Sequence, residues 1–128
     1  MSVRLDDLEP ITRQMARKFL DDSLTAGLLL KVTQTLRTME EQSALYARGR
    51  SLPGPIVTHA QAGQSAHNWG CAFDVCFDGP EPYSEKHPWD TMGGIGKSVG
   101  LVWGGDFKNI VDRPHFERSD WRSVREAA

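Results

Sequence analysis

The first apolar residues of the chain recur with helical spacing. They lie at Ile11, Met15 and Phe19, with Ala16 and Leu20 beside them. An i, i+4, i+8 pattern is typical of one face of an amphipathic helix, since a helical turn takes about 3.6 residues. We therefore predict a helix over residues 8–22 whose apolar stripe packs against a core. Pro10 is compatible with this helix because it falls in the first turn.

A second helix is predicted directly after Thr38. Thr38 and Glu41 form a capping-box pattern, in which each side chain accepts a hydrogen bond from the other residue's backbone N–H. The helix should begin at Met39 and run to about Arg48. Gly49 then supplies the glycine that commonly follows a helix end.

The remaining segments give shorter or less regular patterns. Leu28–Leu36 is apolar enough for a strand or for the end of a helix, and periodicity does not choose between them. Prolines and glycines predict loops over 50–63 and 78–88. The other predicted elements are a buried strand at 72–77, a glycine-rich helix at 89–100 capped by Asp90 or Thr91 with Ile95 and Val99 facing inward, a short strand at 101–103, and a terminal segment, 121–128, that packs as a helix or frays.

Composition limits the class of protein. The chain has 128 residues, of which 39% are hydrophobic and 25% charged, with a net charge of −2. These values fit one soluble domain spanning 1–128. A slightly acidic chain gives no reason to expect nucleic acid, and no apolar run approaches the ~18 residues of a membrane span, so we expect no stable membrane insertion. The first residues lack the apolar segment of a secretory leader, which predicts accumulation in the cytoplasm.

The two cysteines predict no disulfide. Cys71 and Cys76 are five positions apart. On one extended strand their Cα atoms would lie well beyond the ~7 Å that a disulfide permits. Two reduced, partly buried thiols are expected.

Candidate chemistry is concentrated between His67 and Asp74. If this segment ran straight as a strand, it would span about 23 Å at ~3.3 Å per residue. Two side chains could not then bind one metal at ~2 Å bond lengths, so the chain must fold back between them. Gly70 permits the bend because it has no Cβ to clash at positive φ. The strand predicted after it would hold Asp74 rigidly.

A second segment, 112–117, supplies a third ligand and an acid. Pro114 excludes a helix interior and biases Arg113 toward an extended conformation, so Asp112 and His115 should sit in a turn that enters a short strand. His67, Asp74 and His115 make three protein ligands, which leaves a fourth tetrahedral position for water, as in catalytic zinc sites. Asp112 is then the candidate general base. There is no H-E-x-x-H helix.

Taken together, these motifs resemble a known family. The patterns S-x-H-x-x-G-x-A-x-D and D-x-x-H, with the segments at 37–42, 45–50 and 103–106, resemble the zinc peptidases of the bacterial cell wall. This family includes phage L-alanyl-D-glutamate endolysins, VanY-type D,D-carboxypeptidases and VanX-type D,D-dipeptidases. The likeness runs from about Leu36 to Glu117 and implies an α+β fold: a central antiparallel sheet flanked by helices, with zinc in the sheet's cleft.

The resemblance also implies roles and a substrate. Arg37 would stabilise the negative oxygen that forms during amide hydrolysis, while Gln42 and Ser65 would orient the peptide. Asp112 in the D-x-x-H motif favours cleavage of the L-alanyl-D-glutamate bond of the peptidoglycan stem peptide. Two alternatives remain: a D,D-carboxypeptidase that trims terminal D-Ala, and a non-catalytic wall-binding or virion protein.

The same reading predicts where the protein works. As a monomeric phage or prophage endolysin with no separate wall-binding domain, it would stay in the host cytoplasm until lysis. A membrane-permeabilising, holin-like protein would then release it to the periplasm or cell wall.

Overall fold

Four helices surround a four-stranded sheet in the computed structural model, which describes residues 1–128. The helices are α1 (Pro10–Thr25), α2 (Met39–Ala47), α3 (Trp89–Ser98) and α4 (Trp121–Ala127). The strands are β1 (Leu30–Gln34), β2 (Ala72–Phe77), β3 (Leu101–Trp103) and β4 (His115–Arg118). All neighbouring strands are antiparallel, in the order β1-β2-β4-β3. The α+β fold with a central antiparallel sheet is confirmed.

Strand β2 separates the core from the cleft. Successive side chains of a strand point to opposite faces. Phe73, Val75 and Phe77 accordingly lie in the main hydrophobic cluster. Asp74 points to the other face, together with Cys76. The alternation therefore brings a carboxylate to the open face of the sheet while its neighbours anchor the strand.

Helix α1 covers the apolar face of the sheet. The ring of Phe19 packs with its centroid 4.5 Å from that of Phe116 and 5.7 Å from that of Phe73. The predicted helix is confirmed, but the predicted stripe is wrong at Ile11, which is 52% exposed. Thr12 is buried instead, and its hydroxyl is satisfied by a 3.2 Å hydrogen bond to Glu9. A hydroxyl bonded locally can be buried, so the helix turns a threonine rather than an isoleucine inward.

Helix α3 forms despite its glycines because they allow it to approach the sheet. A Cβ on Gly93 would lie 2.3 Å from the Trp103 ring, and one on Gly96 would lie 2.2 Å from the Phe116 ring. The predicted helix is confirmed, but its N-cap is Pro88 and neither Asp90 nor Thr91 caps it.

The other predicted elements agree closely with the structure. The ambiguous segment before Arg37 contains β1, and the capping box of α2 forms as expected. The terminal segment is helical, and Cys71 and Cys76 are free and buried. No helix combines the length and apolar character required to cross a membrane.

Candidate metal and catalytic site

His67 and Asp74 meet because the chain reverses between them. Residues Ala66–Trp69 form a short 3-10 turn that ends at Gly70, whose φ of +67° is in the left-handed region. β2 then returns past the turn. The Nε2 atom of His67 lies 3.2 Å from Oδ1 of Asp74. The predicted bend is therefore present.

His115 joins them through the register of the sheet. It is the first residue of β4 and pairs directly with Asp74 across the β2–β4 ladder. Its Nδ1 atom lies 3.0 Å from the same Oδ1 of Asp74. One ligand atom from each of the three residues falls within 4.8 Å of the others. The three predicted metal ligands thus come together from segments more than 40 residues apart.

The outer nitrogen of each histidine is held by an oxygen. Nδ1 of His67 donates to the Thr35 carbonyl at 2.8 Å, and Nε2 of His115 lies 2.7 Å from the Glu117 carboxylate. Metal-binding histidines characteristically donate their second N–H to a carbonyl or carboxylate, which fixes the tautomer and aims the other nitrogen at the ion. The Nε2 lone pair of neutral His67 thus faces the Asp74 carboxylate, and only a proton or a cation can satisfy both. These residues fit a metal ion.

The pKa values describe the same charge arrangement. Burial lowers the pKa of His67 and keeps it neutral. Burial opposes ionisation of Asp74, but the hydrogen bond from protonated His115 holds the pKa of that carboxyl well below its usual value. Burial also opposes charge on His115, yet the bonds to Asp74 and Glu117 outweigh it and raise its pKa to about 10. Without metal, a proton on His115 therefore balances the carboxylates.

Asp112 lies in the turn before β4 and lines the same cavity as His67 and His115. Its side chain is half-buried. Burial raises the pKa of Asp112, and the charge on nearby Asp74 adds to the effect, whereas protonated His115 opposes it. A carboxylate with a raised pKa beside a metal site is suited to accept a proton at neutral pH. The predicted position of Asp112 in a turn entering a strand is confirmed.

Gly104 leaves room for this turn. The backbone N–H of Asp112 donates to the Gly104 carbonyl at 2.9 Å. A Cβ on Gly104 would lie 2.2 Å from the Asp112 carbonyl oxygen and 2.9 Å from Cβ of His115. The absence of a side chain at 104 therefore determines where Asp112 and His115 sit.

Arg37 is held toward the site by two amides. Its guanidinium donates to the side-chain oxygen of Gln42 at 2.7 Å and to that of Gln34. Its backbone N–H donates to the His67 carbonyl at 3.0 Å. Burial lowers the pKa of Arg37, although the carboxylates of Asp74 and Asp112 favour the charged form. Arg37 is thus a positioned cation bonded to neutral groups.

The structure gives Gln42 a different task from the peptide contact that the family resemblance implied. It is fully buried, and its amide nitrogen donates to the Ala60 carbonyl at 2.7 Å while its oxygen accepts from Arg37. Both polar ends are occupied within the protein, which is at odds with direct contact to a peptide. The geometry instead gives Gln42 the task of orienting Arg37.

Ser65 borders the cavity and starts the turn that carries His67. Its Oγ accepts from the His67 N–H at 3.3 Å. Because a hydroxyl can donate while it accepts, Ser65 can still donate a hydrogen bond into the cavity. Its role toward a peptide stays a prediction.

Sequence reasoning missed four supporting groups. Asn68 accepts from the N–H groups of Gly63 and Ser65 and donates to the carbonyls of Arg37 and Thr38. The other three are Gln34, the Thr35 carbonyl and Glu117. Glu117 could have been found, because residues i and i+2 of a strand share a face and Glu117 follows His115 by two. The others act across long separations and leave no local signal.

The cavity has a volume of about 800 Å³ and contains both predicted catalytic groups, Arg37 and Asp112. His59 is exposed and lines its wall. His87 lies elsewhere, stacked on Phe77 with ring centroids 4.4 Å apart. The site is thus a large cleft lined by two of the predicted metal ligands, His67 and His115, with room enough for a peptide segment.

Comparisons with known proteins agree with this arrangement. The model of an M15 peptidase family described as D-alanyl-D-alanine carboxypeptidase matches residues 58–118. The peptidoglycan L-alanyl-D-glutamate endopeptidase CwlK of Bacillus subtilis is 35% identical over 124 residues, covering 87% of this chain and 73% of that protein. An L-alanyl-D-glutamate peptidase of Listeria phage A118 is 30% identical over 113 residues; the match covers 83% of this chain but only 36% of the phage protein.

A solved structure shares the fold at lower identity. The vancomycin-resistance D,D-pentapeptidase VanY, crystallised with Zn(II), superposes with a TM-score of 0.66 at 15% identity. The match covers 93% of this chain and 76% of that one. This likeness shows the fold, and the sequence match to CwlK shows the family. The chain belongs to the M15 peptidase family and is a metallopeptidase that hydrolyses peptidoglycan.

Proposed function

We propose that this protein is a zinc-dependent endopeptidase that cleaves the L-alanyl-D-glutamate bond of the peptidoglycan stem peptide. The observation that carries the proposal is the convergence of His67, Asp74 and His115 in a cleft that also contains Asp112. Two imidazoles and one carboxylate are a ligand set that suits zinc and leaves a coordination position open. Calcium and magnesium prefer shells of oxygen alone.

Bound zinc would supply a Lewis acid and lower the pKa of a water molecule enough for attack at neutral pH. Asp112 accepts the proton of the attacking water and returns it to the nitrogen of the leaving amine as the amide bond breaks. Arg37 stabilises the negative charge that develops on the carbonyl oxygen, with Gln42 and Gln34 fixing its direction. Ser65 donates a hydrogen bond to the peptide.

The choice of bond is supported by two relatives, both L-alanyl-D-glutamate peptidases, one from a bacterium and one from a phage. We also propose a role in host lysis, because one relative is a phage peptidase. In that role the enzyme would stay in the host cytoplasm until a holin-like protein opens the membrane. A metal-bound VanY structure of the same fold supports zinc.

A D,D-carboxypeptidase is the second candidate, because the matching family model carries that description. Mass spectrometry of purified muropeptides digested by the zinc-loaded enzyme distinguishes the two. We expect a product set in which the stem peptide is released from L-Ala. Products that have lost only a terminal D-Ala would refute the endopeptidase assignment.

The metal assignment has its own test. The chelated, metal-free protein should be inactive, and stoichiometric Zn²⁺ should restore cleavage. Recovery with Mg²⁺ or Ca²⁺ but not with Zn²⁺ would contradict the assignment of zinc to His67, Asp74 and His115.

A further inference from the structure

Three cations line the catalytic cavity: Arg37, Lys108 and Arg122. Two of the carboxylates around the metal ligands are already engaged, since Asp74 bonds to both histidines and Glu117 bonds to His115. Asp112 is the proposed base. The wall beyond these catalytic groups therefore carries the positive charges of Lys108 and Arg122, although the whole chain has a net charge of −2.

Lys108 and Arg122 have no carboxylate partner within the protein. Neither takes part in any of its ion pairs. The nearby Lys97, by contrast, is paired with Asp106 at 3.0 Å. Both cavity cations are exposed, so an incoming anion need not displace an internal partner.

These two cations reach the cavity from different parts of the chain. Lys108 follows Phe107, whose ring centroid is 5.7 Å from that of His115. Arg122 is the second residue of α4, which follows β4, and its guanidinium lies 4.4 Å from the centre of the Trp121 ring. Lys108 thus follows a residue that contacts a predicted metal ligand, whereas Arg122 reaches the cavity from α4.

The substrate of the proposed function, on which this inference rests, has a matching charge. A glutamyl residue within a linear peptide uses its amino group and one carboxyl group in amide bonds, so its second carboxyl is free and ionised at neutral pH. We propose that Lys108 and Arg122 form a cationic wall that selects peptides with a free carboxylate on the amine side of the scissile bond. This assigns the two residues to substrate specificity rather than to the chemical step.

The test compares two synthetic stem peptides that differ only at the glutamyl residue. One has the free carboxylate, and the other has its neutral amide. Zinc-loaded wild type should cleave the acid with a kcat/KM about 10-fold higher than the amide, because a charge-assisted contact is worth ~1.4 kcal/mol or more. Lys108→Gln should remove most of this preference and Arg122→Gln part of it, mainly through KM. On the amide, both variants should lose less activity than they lose on the acid.

Matched controls separate recognition from general charge loss. Arg125 also stacks on Trp121, 5.2 Å from its ring, but does not line the cavity. Lys86 is an exposed lysine outside the cavity. Arg125→Gln and Lys86→Gln should therefore leave the acid-to-amide ratio unchanged. Equal thermal melting of all variants shows that the fold is kept.

Several results would overturn the inference. These are equal cleavage of both peptides by wild type, an equal loss on both peptides in Lys108→Gln and Arg122→Gln, or a lost preference in the control variants. A further pair of peptides, one ending in a D-Ala carboxylate and the other in its amide, tests the second source of a free carboxylate in the stem peptide. Selectivity for that terminus alone would move the wall's ligand from glutamate to D-Ala. If the enzyme cleaves another bond, the proposed function is refuted. The ratio of kcat/KM for the glutamyl acid to that for its amide then still tests whether the cationic wall binds the carboxylate.

Discussion

Glu117 tests whether the groups behind the ligands determine metal affinity. Its carboxylate lies 2.7 Å from Nε2 of His115, whose other nitrogen faces Asp74. Glu117→Ala removes the acceptor and frees the imidazole to rotate or change tautomer. Loss of such a partner typically weakens metal binding by about 10–100-fold, or ~1.4–2.7 kcal/mol.

A second effect of the substitution places the expected loss near the lower end of that range. Glu117 helps to raise the pKa of metal-free His115 to about 10, so metal must displace a proton near neutral pH. Without Glu117 that pKa falls, and the proton competes less. Glu117→Gln keeps an acceptor oxygen but not the charge, and should therefore lose less affinity than Glu117→Ala.

The assay is a competitive titration of Zn²⁺ against a chromogenic chelator at pH 7. Glu126→Ala, an exposed glutamate on α4, is the matched control and should bind as tightly as wild type. If Glu117→Ala also binds zinc with wild-type affinity, the carboxylate does not orient His115, and the reasoning is refuted.

Three further predictions concern the acid, the turn and the metal-free protein. Asp112→Asn should lower kcat by about 10²–10⁴-fold while the protein still binds stoichiometric metal, as measured by atomic emission. If the variant loses the metal, Asp112 is a metal ligand rather than the base. Gly104→Ala should lower the free energy of unfolding in urea by ~1–3 kcal/mol and impair cleavage, because its Cβ meets the Asp112 carbonyl at 2.2 Å. Gly94→Ala is the control: its Cβ would meet no atom within 4 Å, so the free energy of unfolding should rise by up to ~1 kcal/mol. If Gly104→Ala and Gly94→Ala had the same effect on stability, the turn at Asp112 would adapt to the added Cβ. In the metal-free protein, kept so by a chelator, protonated His115 stabilises the fold fully below its unfolded pKa of 6.5, and this stabilisation is lost as the pH rises to about 10. The Tm should therefore fall over that pH range. A constant Tm would contradict the raised pKa of His115.

Local sequence was sufficient for features that depend on neighbouring residues. The turn at Gly70, the capping box at Thr38 and the alternation that turns Asp74 out of β2 all act within a few positions. Such signals gave helices α1, α2 and α3, strands β2, β3 and β4, and the three residues that meet as candidate ligands. They left β1 and α4 undecided. Spacing around Pro114 likewise placed Asp112 in a turn.

Tertiary structure decided which polar groups support these residues. Glutamine at position 42 can serve equally well on a surface or in a core, and only the packing of the loop at Ala60 buries it behind Arg37. Asn68 depends in the same way on distant groups, since its amide donates to the carbonyls of Arg37 and Thr38. A buried polar atom requires a partner, and long-range packing supplies that partner. The sequence alone therefore identified the candidate ligands, while the folded chain determined what holds them and which charges remain free to meet a substrate.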